Sequence, residues 1–181
     1  MLSCEEQSWM TVEADMNRQH FEFEKSIRLN VTNETLDAHR VLVKWAVRKT
    51  DATILREEEQ WLEVPALSAV WMDKVELPQI DCFNEYVSYE AWENDQIISQ
   101  GTVIFSYPKY FHYLNPGLAV RVDGDEIVVK AEAYAKSVEI RNENDDLILE
   151  DNYFDINAGE YRVKILDGKP DGLKVRSVYD I

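Results

Sequence analysis

Glycine is scarce in this chain, at six of 181 residues, and there are only three histidines and two cysteines. No glycine-rich phosphate loop can be assembled from the glycines present. No run approaches the roughly 18 apolar residues that a membrane-spanning helix needs. Basic residues are few: 19 against 35 acids, for a net charge of −16. That balance repels phosphate backbones and anionic lipid, which argues against nucleic acid and membrane as partners. Cys4 and Cys82 are too far apart for a zinc knuckle or a redox CxxC pair. Sequence leaves a disulfide between them open, although two thiols in a reducing compartment is the simpler reading. The opening Met1-Leu-Ser-Cys-Glu-Glu-Gln has neither a basic segment nor an apolar run, so it does not read as a signal peptide, and a cytoplasmic location is expected.

Chemistry is equally sparse. No serine sits in a GxSxG elbow, and neither cysteine has a catalytic context. Of the histidines His20, His39 and His112, His39 is expected to be solvated in a turn and His112 to be a hydrogen-bonded interface residue. Two acidic clusters, Asp145, Asp146, Glu150, Asp151 and Asp155, and Asp123-Gly-Asp-Glu126, lack EF-hand spacing. They read as solvated loops of an acidic protein. With 35 acids a glycosidase-type carboxylate pair could be drawn anywhere, and nothing singles one out. No catalytic, cofactor-binding or metal-binding residue is assigned, and no cofactor is expected. Asn30-Val-Thr32 and Asn33-Glu-Thr35 match the glycosylation sequon, a pattern short enough to arise by chance.

What the chain does have is alternation. Ile27, Leu29 and Val31 alternate with Arg28 and Asn30, and Val41, Val43, Trp45 and Val47 alternate with Leu42, Lys44, Ala46 and Arg48. Period two with one apolar face marks a half-buried strand. Further strands end before Pro65 and Pro78, and residues 86–106 read as a hairpin turning at Asn94-Asp95. Ala52–Glu63 could be helix, but its β-branched start and short turn spacing favour strand. Leu2 to Cys4 reads as the stump of a strand. About seven strands in a hundred residues fit an immunoglobulin-like sandwich. Beyond Leu118 a second set of six or seven short strands begins, with a hairpin at Asp123-Gly124.

Between the two sets lies Ser106-Tyr-Pro-Lys-Tyr-Phe-His-Tyr-Leu-Asn-Pro-Gly117, bounded by prolines and rich in aromatics. Pro108 should end the last strand of the first set, and Tyr110, Phe111 and Tyr113 should be mostly buried. All five tryptophans (Trp9, Trp45, Trp61, Trp71, Trp92) precede this joint. The expected architecture is all-β: two consecutive immunoglobulin-like antiparallel sandwiches, residues 1–107 and 108–181. Trp61, Trp71 and Trp92 are of a type that stacks on sugars. The preferred reading is that Trp45 and at least one other fill the core while the rest lie at domain contacts.

Several segments, taken in order, resemble a known family. Leu2-Ser-Cys-Glu-Glu6 and Glu24-Lys-Ser-Ile-Arg-Leu-Asn-Val-Thr-Asn-Glu-Thr35 resemble the entry into the first accessory sandwich that follows the barrel of β-mannosidases of glycoside hydrolase family 2. Val64-Pro-Ala-Leu-Ser68 resembles a turn of that sandwich. Pro108-Lys-Tyr-Phe-His112 and Asn115-Pro-Gly-Leu118 resemble its link to the C-terminal immunoglobulin-like domain, with Asn115 where the family has aspartate. Asp151-Asn-Tyr-Phe-Asp155, followed by Gly159-Glu160, resembles that last domain's motif. The resemblance implies a non-catalytic C-terminal fragment of a retaining enzyme that removes terminal β-D-mannose. Its catalytic glutamates would lie on a (β/α)8 barrel, and no stretch here matches the barrel motifs. The implied partner is that barrel of the same parent chain, and a second copy of the chain is another candidate. The competing reading is a free-standing carbohydrate-binding or adhesion module.

Overall fold

A computed structural model describes the backbone of residues 2–6, 10–15 and 18–181, and side chains from Phe23 onward. The chain divides into two compact units: Met1–Arg48 with Ile54–Phe111, and Lys49–Thr53 with His112–Ile181. Every strand pairing described is antiparallel. Among the described residues the only helical elements are two single 3-10 turns, Pro108–Tyr110 and Val178–Asp180. No helix is long and apolar enough to cross a membrane.

The first unit contains, in chain order, β1 (Leu2–Glu6), β2 (Met10–Asp15), β3 (Arg18–Phe23), β4 (Ser26–Ile27), β5 (Leu29–Asn33), β6 (His39–Lys49), β7 (Ile54–Val64), β8 (Ser68–Trp71), β9 (Val75–Glu76), β10 (Glu85–Glu93) and β11 (Gln96–Ile104). Its two main sheets run β1-β5-β8 and β11-β10-β6-β7, seven strands in all, and β2-β3 and β4-β9 form separate ribbons. The β2-β3 hairpin falls in a stretch whose sequence is only weakly patterned. The inward side chains of β6, Val41, Val43, Trp45 and Val47, join Ile27, Leu29, Val31, Val87 and Val103 in one buried cluster. Residues 94 and 95 close the β10–β11 hairpin, both at positive φ as a two-residue turn of this hand requires.

Of the stretch Ala52–Glu63, read as strand rather than helix, residues 54–63 are strand and 52–53 belong to the preceding turn region. Residues 54–61 of β7 are all exposed, and only Leu62 and Val64 reach the core. The strand is the rim of its sheet, and Glu57, Glu58 and Glu59 line the exposed part. Charge on an open edge discourages pairing with another chain.

The second unit contains β12 (Ala119–Asp123), β13 (Glu126–Ala131), β14 (Ala135–Arg141), β15 (Ile148–Leu149), β16 (Phe154–Ile156), β17 (Gly159–Asp167) and β18 (Lys174–Arg176). They form sheets β12-β13-β17-β15 and β16-β14-β18 around Ile127, Val129, Val138, Ile140, Phe154 and Val163. Gly124 takes φ +66 in the two-residue loop joining β12 to β13. Val128 faces away from this core yet is buried. Its register partners are Arg121 and Arg162, whose stems flank it while their guanidiniums reach Asp123, Glu126 and Glu160.

Two expectations for the joint need correction. The last strand of the first unit ends at Ile104, and Pro108 instead opens a 3-10 turn, where its fixed φ fits and its missing N–H costs nothing. Phe111 is buried, but Tyr110 is 53% exposed, its ring edge-on to Tyr107. Within the second unit Tyr113 stacks on Tyr134 at 6.1 Å. Asn115 Oδ1 accepts the N–H of Gly117, which sits at φ +56. An aspartate would supply the same oxygen, so asparagine here keeps the turn.

Candidate functional site

The first place to look for chemistry is His39, which the structure moves from a solvated turn to the start of β6. Its Nε2 lies 2.7 Å from Thr35 Oγ1 and its Nδ1 lies 2.6 Å from Glu93 Oε1. Hydroxyl, imidazole and carboxylate in line is the outline of a nucleophilic relay. The hydroxyl is already saturated, however. Thr35 Oγ1 is also 2.8 Å from Asn33 Oδ1 and 3.1 Å from the Asp37 carbonyl, and it accepts the Asp37 N–H at 3.4 Å. All of these Thr35 contacts run between residues 33 and 39, so the arrangement locks the β5–β6 loop. The side chain of His20 lies outside the described residues, and His112 is exposed.

Asn33 is the hub of that lock. It is buried, and its amide nitrogen donates to the carbonyls of Asp37, Val64 and Pro65. Asn30 is buried as well. Neither sequon has room for a glycan, and both asparagines are structural.

The Asp151–Asp155 motif has a comparable explanation. Strand β14 carries an irregularity between Ala135 and Val138, with Ser137 at φ +51. Asp155 caps it, accepting the Ser137 N–H at 2.8 Å and pairing with Lys136 Nζ at 2.9 Å. Asn152 replaces a strand partner: Oδ1 accepts the Ile140 N–H at 2.9 Å, and Nδ2 donates to the Ile140 carbonyl at 3.1 Å. Phe154 enters the core and stacks on Tyr161 with centroids 4.1 Å apart, while the Tyr161 hydroxyl donates to Asp151. The motif therefore clamps β16 to a bulged β14. Asp146 is bonded to Asn142. Among the described residues no group of three or more His, Cys, Asp or Glu is placed to hold a metal.

Tyr153 completes the clamp by donating its hydroxyl to Glu139 at 2.6 Å. Glu139, 3% exposed, also receives Arg176 and Arg141. The Tyr153 hydroxyl, then Arg176, hold its carboxyl down at about 2, against an ordinary value of 4.5. A folded-state value below the unfolded one stabilises at pH above the unfolded value, and that stabilisation is lost as pH falls towards the folded one. Glu139→Gln should thus lower the melting temperature at neutral pH, and the gap from the parent sequence should close between about pH 4.5 and pH 2. Thermal melts by circular dichroism across that window check it.

The tryptophans depart from expectation. Trp45 is in the core, but Trp61 is 53% and Trp71 44% exposed, and Trp92 is half-buried. Each described ring has a cation over it: Arg56 on Trp45 at 4.9 Å, Arg40 on Trp61 at 4.5 Å, Lys44 on Trp92 at 5.1 Å and Arg28 on Trp71 at 5.0 Å. Such pairs supply attraction of about 0.5–1 kcal/mol at exposed sites. Trp61 and Trp92 lie on the outer face of β11-β10-β6-β7. The same face carries an open groove of about 370 Å³, whose lining residues Lys44 and Glu90 both contact Trp92. Ala46 is its floor. Glu57, the register partner of Ala46, and Glu59 wall it on β7, Ser88 and Glu90 on β10, and Lys44 and Arg48 close its ends along β6. Arg48 Nε donates to Ser88 Oγ at 2.8 Å, and the Trp92 Nε1–H is held by Glu90 at 2.8 Å. The sequence carried one signal for this groove: Ala46 is the single small residue on the outer face Arg40, Leu42, Lys44, Ala46, Arg48. Cys82 is half-buried with Sγ 4.0 Å from the Ile80 carbonyl, and the side chain of Cys4 lies outside the described residues.

Comparison with known proteins matches both units. Residues 25–110 match the family described as Mannosidase Ig/CBM-like domain, and residues 113–181 match one described as Ig-fold domain. No curated protein sequence matches. Among solved structures, the β-D-mannosidase of Dictyoglomus thermophilum superposes with a TM-score of 0.69 at 16% identity, over 94% of this chain and 21% of that one. The exo-chitosanase CsxA of Amycolatopsis orientalis gives 0.57 at 12% identity, over 93% of this chain and 26% of that one. The chain thus spans about a fifth to a quarter of the length of these proteins. Matched in this order, the two models make the chain a Mannosidase Ig/CBM-like domain followed by an Ig-fold domain.

Proposed function

We propose that the chain is the non-catalytic C-terminal part of a retaining β-mannosidase, and that it supports a (β/α)8 barrel elsewhere in the same parent. The observation that carries this is the ordered pair of family matches, residues 25–110 then 113–181. The side-chain chemistry supports it. The histidine relay, the Asp151–Asp155 motif and the Glu139 cluster all fasten loops and strands. The net charge of −16 supports a partner that is neither nucleic acid nor anionic membrane. The supporting role has a direct test. Truncating the parent after residue 117 of this numbering should lower its melting temperature while leaving the barrel's reacting residues in place. If stability, assembly and mannosidase activity were all unchanged, the second unit would have no supporting role.

A further inference from the structure

We propose that the groove over Ala46 is a binding site for a neutral hexose unit of an oligosaccharide. A sugar ring presents hydroxyls that each donate and accept, and the rim offers both complements. Glu57, Glu59 and Glu90 accept; Lys44 and Arg48 donate; the Ser88 hydroxyl does either. The mixture selects against other ligands. An anion would face four carboxylates, Glu57, Glu58, Glu59 and Glu90, and a bare cation would face an ammonium and a guanidinium. A volume of about 370 Å³ falls in the range of small-molecule sites, about 300–1,000 Å³.

The groove is built from register. Ala46 is paired with Glu57, so the small side chain leaves a depression between two longer rows. Glu90 is fixed from one side by the indole N–H of Trp92. Lys44 links the groove to that ring: it lines the groove, and its ammonium lies 5.1 Å from the Trp92 centroid and 3.9 Å from Glu59 Oε2. When sugar hydroxyls take the ammonium, the indole face is uncovered for the C–H side of the next ring. Binding should therefore be visible in tryptophan emission. The inference takes from the proposed function only the choice of probe.

The test is a titration of the 181-residue chain with mannohexaose and, separately, cellohexaose, read by calorimetry and tryptophan fluorescence. Saturable binding of either is expected. Ala46→Leu, which fills the floor and leaves the rim, should weaken it at least about tenfold, a loss near 1.4 kcal/mol. Trp71→Ala, on the other sheet, should leave it unchanged. Should Ala46→Leu fail to fold by circular dichroism, Glu90→Gln replaces it, with the same weakening expected. Absence of saturable binding to both hexasaccharides overturns the proposal, as does binding that a folded groove variant leaves intact. Either negative result leaves the accessory assignment standing, and hydrolysis of a mannoside by the chain would leave the groove standing.

Discussion

Replacing Asn33 by alanine should lower the stability of the first unit by about 3–4 kcal/mol, at roughly 1–3 kcal/mol for each buried polar group left unpaired. One amide nitrogen serves three carbonyls, of Asp37, Val64 and Pro65, and the amide oxygen receives the N–H and hydroxyl of Thr35. Alanine removes all of these together. It also frees the Thr35 hydroxyl, which holds His39 and through it Glu93. Asn33→Asp should be worse than alanine, because a carboxylate oxygen would then face three carbonyl oxygens. A loss due only to side-chain volume would rank the two the other way. Urea unfolding followed by tryptophan fluorescence measures this unit selectively, since all five tryptophans precede residue 108.

Asn152→Ala should cost the second unit about 2–4 kcal/mol for the same reason. The Ile140 N–H and carbonyl both depend on the Asn152 amide, beside a buried Ile140. Here Asn152→Asp should fall between the native residue and alanine. It keeps the acceptor for the Ile140 N–H and sets a carboxylate oxygen against one carbonyl rather than three. The two asparagines therefore give opposite rankings of Asp against Ala, which follows from how many carbonyls each one serves. Far-UV circular dichroism during urea unfolding is the readout, as the second unit has no tryptophan.

These two residues also mark the limit of what could be read from sequence. The strands were legible because alternation such as Val41, Val43, Trp45, Val47 is a local consequence of burying one face. The turns at Asn94-Asp95 and Asp123-Gly124 were legible because positive φ restricts residue choice. Asn152 acting as a strand partner was not, because its target lies 12 residues away and the amide carries no sign of which backbone it meets. The His39–Glu93 contact spans 54 residues and is equally invisible. Tyr110 misled because an aromatic run between prolines resembles a packed seam, whereas the 3-10 turn there points the ring outward. The tryptophans misled because a flanking cation lets a ring lie on the surface: its polarised face is satisfied without entering the core. The Asp151–Asp155 motif was legible as a pattern, and its physical content, a clamp across a bulge, needed the fold.

In the proposed accessory role the chain supplies no residue that cleaves a β-mannoside. The measurement is incubation of the purified chain with an aryl β-D-mannoside. Release of the phenol at the rate of the blank is the predicted result. Saturable release that scales with protein concentration and disappears on heating would contradict it.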